Sequence, residues 1–218
     1  MKAKLISHSQ TPKVEVPQST LDLIAYCARV SNPSNQNNTE TNEKLVKYLM
    51  KHKHWSPLEM VSVCLEIETT RDIARQLLRH RSFSFQEYSQ RYADVSELGV
   101  AFTTREARMQ DTKNRQNSIP VKHDESINYI WESYQEVIIE RCKKAYAWAL
   151  EAGIAKEQAR AVLPEGLTMS KMYVNGTLRS WIHYVELRSA HGTQQEHMEI
   201  AKAVGDVIYK IFPLDDII

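Results

Sequence analysis

Between residues 61 and 68 the chain alternates without a break. Val61, Val63, Leu65 and Ile67 are apolar, and Ser62, Cys64, Glu66 and Glu68 between them are not. This is the pattern of a strand with one face buried and one face wet. Most other apolar residues recur at helical spacing, so the strand has to sit among helices. The fold class that follows is α+β: a helix-rich single domain, residues 1–218, around a small, mostly antiparallel sheet.

The helical segments can be placed from the same periodicity. Leu21, Ile24, Ala25 and Ala28 form a first face behind Ser19 or Thr20 as cap, with Pro33 closing the exit. Leu45, Val46, Leu49 and Met50 form a second, and the Asn-, Ser- and Thr-rich stretch 31–41 connects the two. Ser56-Pro57-Leu58-Glu59 has a capping serine, a proline at the first helical position and a following glutamate, which predicts a short helical turn. From Thr70 a helix carries Ile73, Ala74, Leu77 and Leu78 on one face and Asp72, Arg75, Gln76 and Arg79 on the other. Residues 82–92 lose the period, and residues 103–118 read as a mobile polar loop. A long helix is expected from Asp124 to Leu150, with Ile127, Trp131, Tyr134, Ile138, Ala145 and Trp148 or Ala149 as its core stripe, ended by Gly153. A short helix stops at Pro164, residues 167–174 suit a strand, and helices over 177–188 and 193–211 follow. Thr193-Gln194-Gln195-Glu196 has capping-box spacing before the last of them.

Charge excludes some functions. Lys and Arg total 28 against 27 Asp and Glu, a net charge of +1, which argues against a broad nucleic-acid-coating surface. Basic patches must be local, and local patches suit small anions. Cys27, Cys64 and Cys142 show no paired spacing, which fits inert thiols in a reducing compartment. The segment from Met1 to Ile6 has no apolar stretch of signal-peptide length, and no segment approaches membrane-spanning length. A cytoplasmic protein with no membrane partner is the expectation.

The densest local patch is Arg79-His80-Arg81, followed by Ser82-Phe83-Ser84-Phe85-Gln86-Glu87-Tyr88-Ser89-Gln90-Arg91-Tyr92. Basic groups at a helix end are favoured by the helix dipole alone. Arg75, Gln76 and Arg79 on one polar face add focused charge, and the chain beyond is dense in donors and rings. Guanidinium forks grip phosphate oxygens, and rings stack on planar heterocycles.

Arg79-His80-Arg81, seven residues and then Ser89 resemble the R-H-R-x7-S signature of flavin-dependent thymidylate synthases. The resemblance runs along most of the chain. His54, Ser56, Pro57 and Glu59 are similar to the family's H-x-[ST]-P-x-E element, and Arg160 to Pro164 to its R-x-x-L-P. Thr177 to Arg188, then Gln194 and Glu196, are similar to its later elements. The resemblance implies methylation of dUMP to dTMP, with methylenetetrahydrofolate as carbon donor and FAD, recharged by NADPH, as hydride source. It also implies a homotetramer with sites shared between subunits, while the net charge of +1 speaks against a nucleic-acid partner.

By position, the resemblance makes Gln76, Arg79, Glu87, Ser89, Arg91, Arg160 and Arg188 ligands of dUMP. It makes Ser56, Arg79, His80, Arg81, Glu87, Thr177, Arg179 and His183 ligands of FAD, and Arg188 the catalytic residue. A guanidinium is no acid at neutral pH, but its charge can stabilise an ionised uracil N3 and push electron density to C5. Ser89 has no paired base in its local motif and reads as a ligand, not a nucleophile. Thr177 stands where many members have Asn, and His183 where some do. His191 lies one place before a flavin-contacting histidine of another member type and is left out of the site. No G-x-G-x-x-G occurs, so a dinucleotide fingerprint is not the basis of flavin binding. Two other readings compete: a single-stranded nucleic-acid module using Arg79, Arg81, Phe83, Phe85 and Tyr88, and a metal hydrolase using His52, His54 and Glu59.

Overall fold

The computed structural model of the chain describes residues 1–11, 19–121 and 125–214. The alternating segment becomes β2 (Ser62–Thr70), whose odd-numbered residues Val63, Leu65 and Ile67 are fully buried. It lies inside a four-stranded sheet of order β1-β2-β6-β3, every pairing antiparallel, with β1 at Lys2–His8, β3 at Ser84–Glu87 and β6 at Met169–Thr177. β2 and β6 pair along their whole lengths, from Ser62 opposite Thr177 to Thr70 opposite Met169.

Helices cover the apolar face: α1 (Thr20–Ala28), α2 (Asn42–Lys51), α6 (Leu178–Ser189) and α7 (Gln195–Ile211). Ser19 caps α1 by accepting from the Asp22 backbone N–H at 3.1 Å, as its sequence position suggests. Ile24, Val46, Trp181, Ile200, Val204 and Ile208 pack against Val63, Leu65 and Val174 in one core. The indole of Trp181 donates to the Val63 carbonyl at 3.0 Å, so α6 is pinned to the central strand by a polar as well as an apolar contact. A short helix, α3 (Arg71–Leu77), leaves β2 directly.

Several expectations are corrected. Strands β1 and β3 are absent from the pattern reading. In β1 the register shifts between Leu5 and Ser7, which breaks the alternation, and β3 is only four residues long. The 103–118 stretch contains half of a hairpin, β4 (Arg108–Gln110) with β5 (Ser118–Pro120), and polar side chains hold it down. The buried Gln135 amide bonds the Arg105 backbone N–H and C=O, each at 2.9 Å. The turn Ser56–Met60 is of 3-10 type with Trp55, not Ser56, at its cap, and α7 starts at Gln195 with no side-chain cap from Thr193.

The long helix is α4 (Glu125–Glu151); the expected start at Asp124 lies outside the described residues. Its stripe is corrected too, except at Ala149, the alternative to Trp148, which is buried. The buried face is Gln135, Ile139, Tyr146 and Ala149, while Trp131, Tyr134, Ile138 and Trp148 are exposed, Tyr134 and Trp148 at 64% each. Counting only apolar residues selected the wrong face, because the inward position 135 is a glutamine satisfied by backbone. A second, smaller core joins Tyr146 and Ala149 to Val95, Ala159 and Leu163, with Ala159 on α5 (Lys156–Ala159).

One glycine ties the sheet to the loop after α3. A Cβ on Gly176 would sit 2.3 and 2.6 Å from ring carbons of the buried Phe83, which packs on Trp181 at 4.4 Å. Gly176→Ala is expected to lower unfolding stability by about 2 kcal/mol through overpacking. Urea denaturation measures this; an unchanged midpoint would show that Phe83 has room to move.

Candidate active site

The Arg79-His80-Arg81 triplet follows α3 in tight turns: the His80 N–H donates to the Leu77 carbonyl at 3.0 Å, and the Phe83 N–H to the His80 carbonyl at 3.3 Å. The anchored Phe83 splits the triplet. Arg79 and Arg81 are exposed and pair with no carboxylate among the described residues. His80 turns inward, where its Nε2 accepts from Arg188 Nε at 3.0 Å and its ring meets Tyr184 edge-on at 5.1 Å. Burial, then the Arg188 charge, holds the His80 pKa below its ordinary value. The imidazole is therefore neutral, with its proton on Nδ1 and a lone pair on Nε2 for Arg188.

Gln76 does not share a face with Arg75. Arg75 reaches outward to Glu165, with Nη2 2.7 Å from Oε1. Gln76 turns inward: its Nε2 donates to Gln194 Oε1 at 2.8 Å, and its Oε1 lies 3.2 Å from Nδ1 of the fully buried His197. The expected focus of charge on one helix face is thus not formed. Instead, Gln76, His80, Arg188 and His197 make a cluster at the meeting of α3, α6 and α7.

Glu87 closes the far edge of the sheet, accepting from Ser170 Oγ at 2.8 Å and Arg71 Nη1 at 3.4 Å. The carbonyl of Ser89 accepts from the Tyr92 and Ala93 N–H groups at 3.1 Å each, which shapes the turn into Arg91. Arg91 Nη2 lies 3.1 Å from Glu157, and Arg160 Nε donates to the Glu157 carbonyl at 3.3 Å. The structure therefore brings Arg91 and Arg160 together at one exposed corner, across a 66-residue separation between Arg91 and Glu157.

Ser56, Thr177, Arg179 and His183 gather at the other end of β6. Thr177 caps α6, accepting from the Ser180 N–H at 3.3 Å. Arg179 Nη1 donates to Glu59 Oε1 at 2.5 Å, and the His183 ring meets Trp55 edge-on at 4.5 Å. Hydrogen bonds from Arg179 and then Thr177 hold the Glu59 carboxyl below its usual range. Arg179 Nε is buried without a partner among the described residues. From Ser170 to Thr177 the strand spans roughly 23 Å, so one chain holds this group well apart from Glu87.

The rival readings find little support. Glu59 is engaged by Arg179, and His52 and His54 flank Lys53, a left-handed residue (φ 58°) in the turn that ends α2. Among the described residues no three His, Cys, Asp or Glu side chains form a metal-ligand group. Phe83 is in the core and Tyr88 is bound through its hydroxyl to the Asp94 carbonyl at 2.5 Å, so these rings do not form an open stacking surface. The residues that sequence reasoning missed are His197, Tyr184, Arg71, Glu157 and Trp55. For His197 a signal existed: it precedes Ile200, Ala201 and Val204 on the apolar stripe of α7.

Fold and clusters together define a helix-rich α+β protein with a small antiparallel sheet, carrying one polar cluster where α3, α6 and α7 meet and another at the Thr177 end of β6. A family model described as thymidylate synthase complementing protein matches residues 14–214. A probable flavin-dependent thymidylate synthase of Paramecium bursaria Chlorella virus 1 is 48% identical over 213 residues, covering 98% of this chain and 96% of the relative. The flavin-dependent thymidylate synthase of Synechocystis is also 48% identical, over 90% of this chain and 88% of the relative. Among solved structures, a UMP/dUMP methylase, PolB, from Streptomyces cacaoi bound with 5-Br dUMP superposes with a TM-score of 0.78 at 26% identity, over 96% of this chain and 90% of that one. The chain belongs to the flavin-dependent thymidylate synthase family.

Proposed function

We propose that this protein methylates dUMP to dTMP, taking the one-carbon unit from methylenetetrahydrofolate and using FAD reduced by NADPH as hydride source. Family membership supports the reaction, and the PolB complex with a dUMP analogue supports the substrate. The observation that carries the reading is the Arg188–His80 hydrogen bond. A neutral His80 occupies Arg188 Nε and leaves both terminal nitrogens of the guanidinium for a pyrimidine. Held there, its charge stabilises negative charge developing on the uracil and raises the electron density at C5. Gln76, Arg79, Glu87, Ser89, Arg91 and Arg160 complete the dUMP site, with the unpaired Arg79 suited to phosphate.

The donor set also fits FAD. Unpaired guanidiniums at Arg79 and Arg81, and the orphaned buried Nε of Arg179, suit a pyrophosphate, and Ser56, His80, Glu87, Thr177 and His183 supply further polar contacts. When bound, FAD supplies the hydride that completes the methyl group. The residues assigned to FAD are split between the two ends of β6, which supports sites shared between subunits of a homotetramer. The exposed Trp131, Tyr134, Ile138 and Trp148 of α4 offer the apolar face such an assembly would cover. Residues 1–218 act as one domain on this reading, in the cytoplasm. Among the described residues no helix is long and apolar enough to cross a membrane.

The test is an absorbance spectrum. Purified protein should carry flavin bands that bleach with NADPH, and NADPH consumption with methylenetetrahydrofolate should depend on dUMP. Colourless protein that cannot be reconstituted with FAD overturns the reading.

A further inference from the structure

The polar network under Gln76 has a fixed direction. It starts at Glu196, which is 5% exposed. Burial opposes its ionisation, yet hydrogen bonds from Arg108, its own backbone N–H and Gln194, together with the Arg105 charge, hold its carboxyl below the usual range. An ionised carboxylate only accepts. Gln194 must therefore turn Nε2 toward Glu196, at 3.0 Å, and Oε1 toward Gln76. Gln76 must then donate from Nε2, at 2.8 Å, and face His197 with Oε1, at 3.2 Å. A carbonyl oxygen only accepts, so His197 Nδ1 carries the hydrogen and its buried Nε2 is bare. The relay leaves one Nε2 hydrogen and one Oε1 lone pair of Gln76 for a ligand, in one orientation of the amide.

We propose that His197 is a positioning residue of the active site: as the last donor of the relay Glu196–Gln194–Gln76–His197, it locks the Gln76 amide in the orientation that dUMP meets. The inference rests on the reading of Gln76 as a dUMP ligand. His197 touches no substrate on this view. It is fully buried, and its ring lies 6.3 Å from His80, the residue that holds Arg188. Remove its donor and Gln76 Oε1 loses its partner, so the amide rotates and part of dUMP binding goes into fixing it again.

The test compares three replacements in the FAD-loaded enzyme. The side-chain nitrogen of Asn falls where Nδ1 of His lies, and that of Gln falls where Nε2 lies. Calorimetric titration with dUMP should give His197→Asn an affinity within about twofold of the parent. His197→Gln and His197→Leu should bind about tenfold more weakly, the effect of one lost orienting hydrogen bond. The rise should appear in KM for dUMP more than in kcat, with flavin content equal in the Asn and Gln variants. A Gln variant that binds as well as the Asn variant overturns the relay, as does a Leu variant with parental affinity. Gln76→Ala separates the two layers of argument. If it leaves dUMP affinity unchanged, the reading of Gln76 fails and the proposal with it. If it weakens binding and His197→Leu does not, the relay alone fails.

Discussion

An Arg188→Ala enzyme is expected to keep its flavin and to lose dTMP formation by roughly two to three orders of magnitude, the usual effect of deleting one preorganised charge at a reacting centre. The structure gives a reason for so large a loss. Arg188 is partly buried, and its Nε is fixed by a neutral His80 at 3.0 Å, so in the role proposed for it the charge would need no reorganisation when the pyrimidine ionises. Arg188→Lys should recover little, because an ammonium has neither the planar fork nor the Nε–H that His80 accepts. Flavin retention is read from absorbance and turnover from dTMP produced at saturating dUMP. Normal turnover by the Ala variant would remove Arg188 from the chemistry.

Acidification should weaken the fold well before the carboxylates titrate. Burial first, then the charge of Arg188, pushes His197 down to about 4 from its ordinary 6.5. A folded pKa below the unfolded one means that the unfolded chain takes up a proton the folded chain refuses. The stability is therefore complete above pH 6.5 and drains as pH falls toward 4, by roughly 3 kcal/mol in all. His80, lowered for the same reasons, acts in the same direction. Urea unfolding between pH 7 and pH 5 isolates the histidines from Asp72 and Glu196, whose carboxyls are held below their usual range. The His197→Asn protein, which keeps the donor and cannot titrate, should lose much of this slope. An identical slope in both proteins would place the acid sensitivity elsewhere.

The legible parts of the fold were those in which one face alone is buried. β2, α6 and α7 meet one core, so their periods survive in the sequence and their limits were placed within a few residues. The illegible parts are held by polar groups. Glu196 holds Arg108 of the hairpin β4–β5, and Gln135 and Asp72 hold Arg105 just before it; none of these marks a strand. The buried stripe of α4 is hard to read because it includes that same glutamine while the tryptophans of the helix point outward. For the site, the sequence points to His80 through the signature motif and to Arg188 through the separate later element, but neither reveals that the two bond to each other. Their separation of 108 positions closes through the packing of α6 against the turn after α3. His197 was hidden for a different reason: a lone histidine on an apolar stripe looks like filler until its hydrogen-bond partner is seen.

The contact between Phe83 and Gly176 carries one more consequence. Loops that bind ligands are commonly the first parts of a protein to open, in excursions that leave the rest intact. Here the backbone of Arg79-His80-Arg81 cannot swing away while the ring of Phe83 stays seated over Gly176 and against Trp181. Lifting that ring exposes the indole bonded to the central strand. The Arg79–Arg81 segment and the sheet are thus expected to open together rather than separately, and hydrogen exchange at the two should report one free energy.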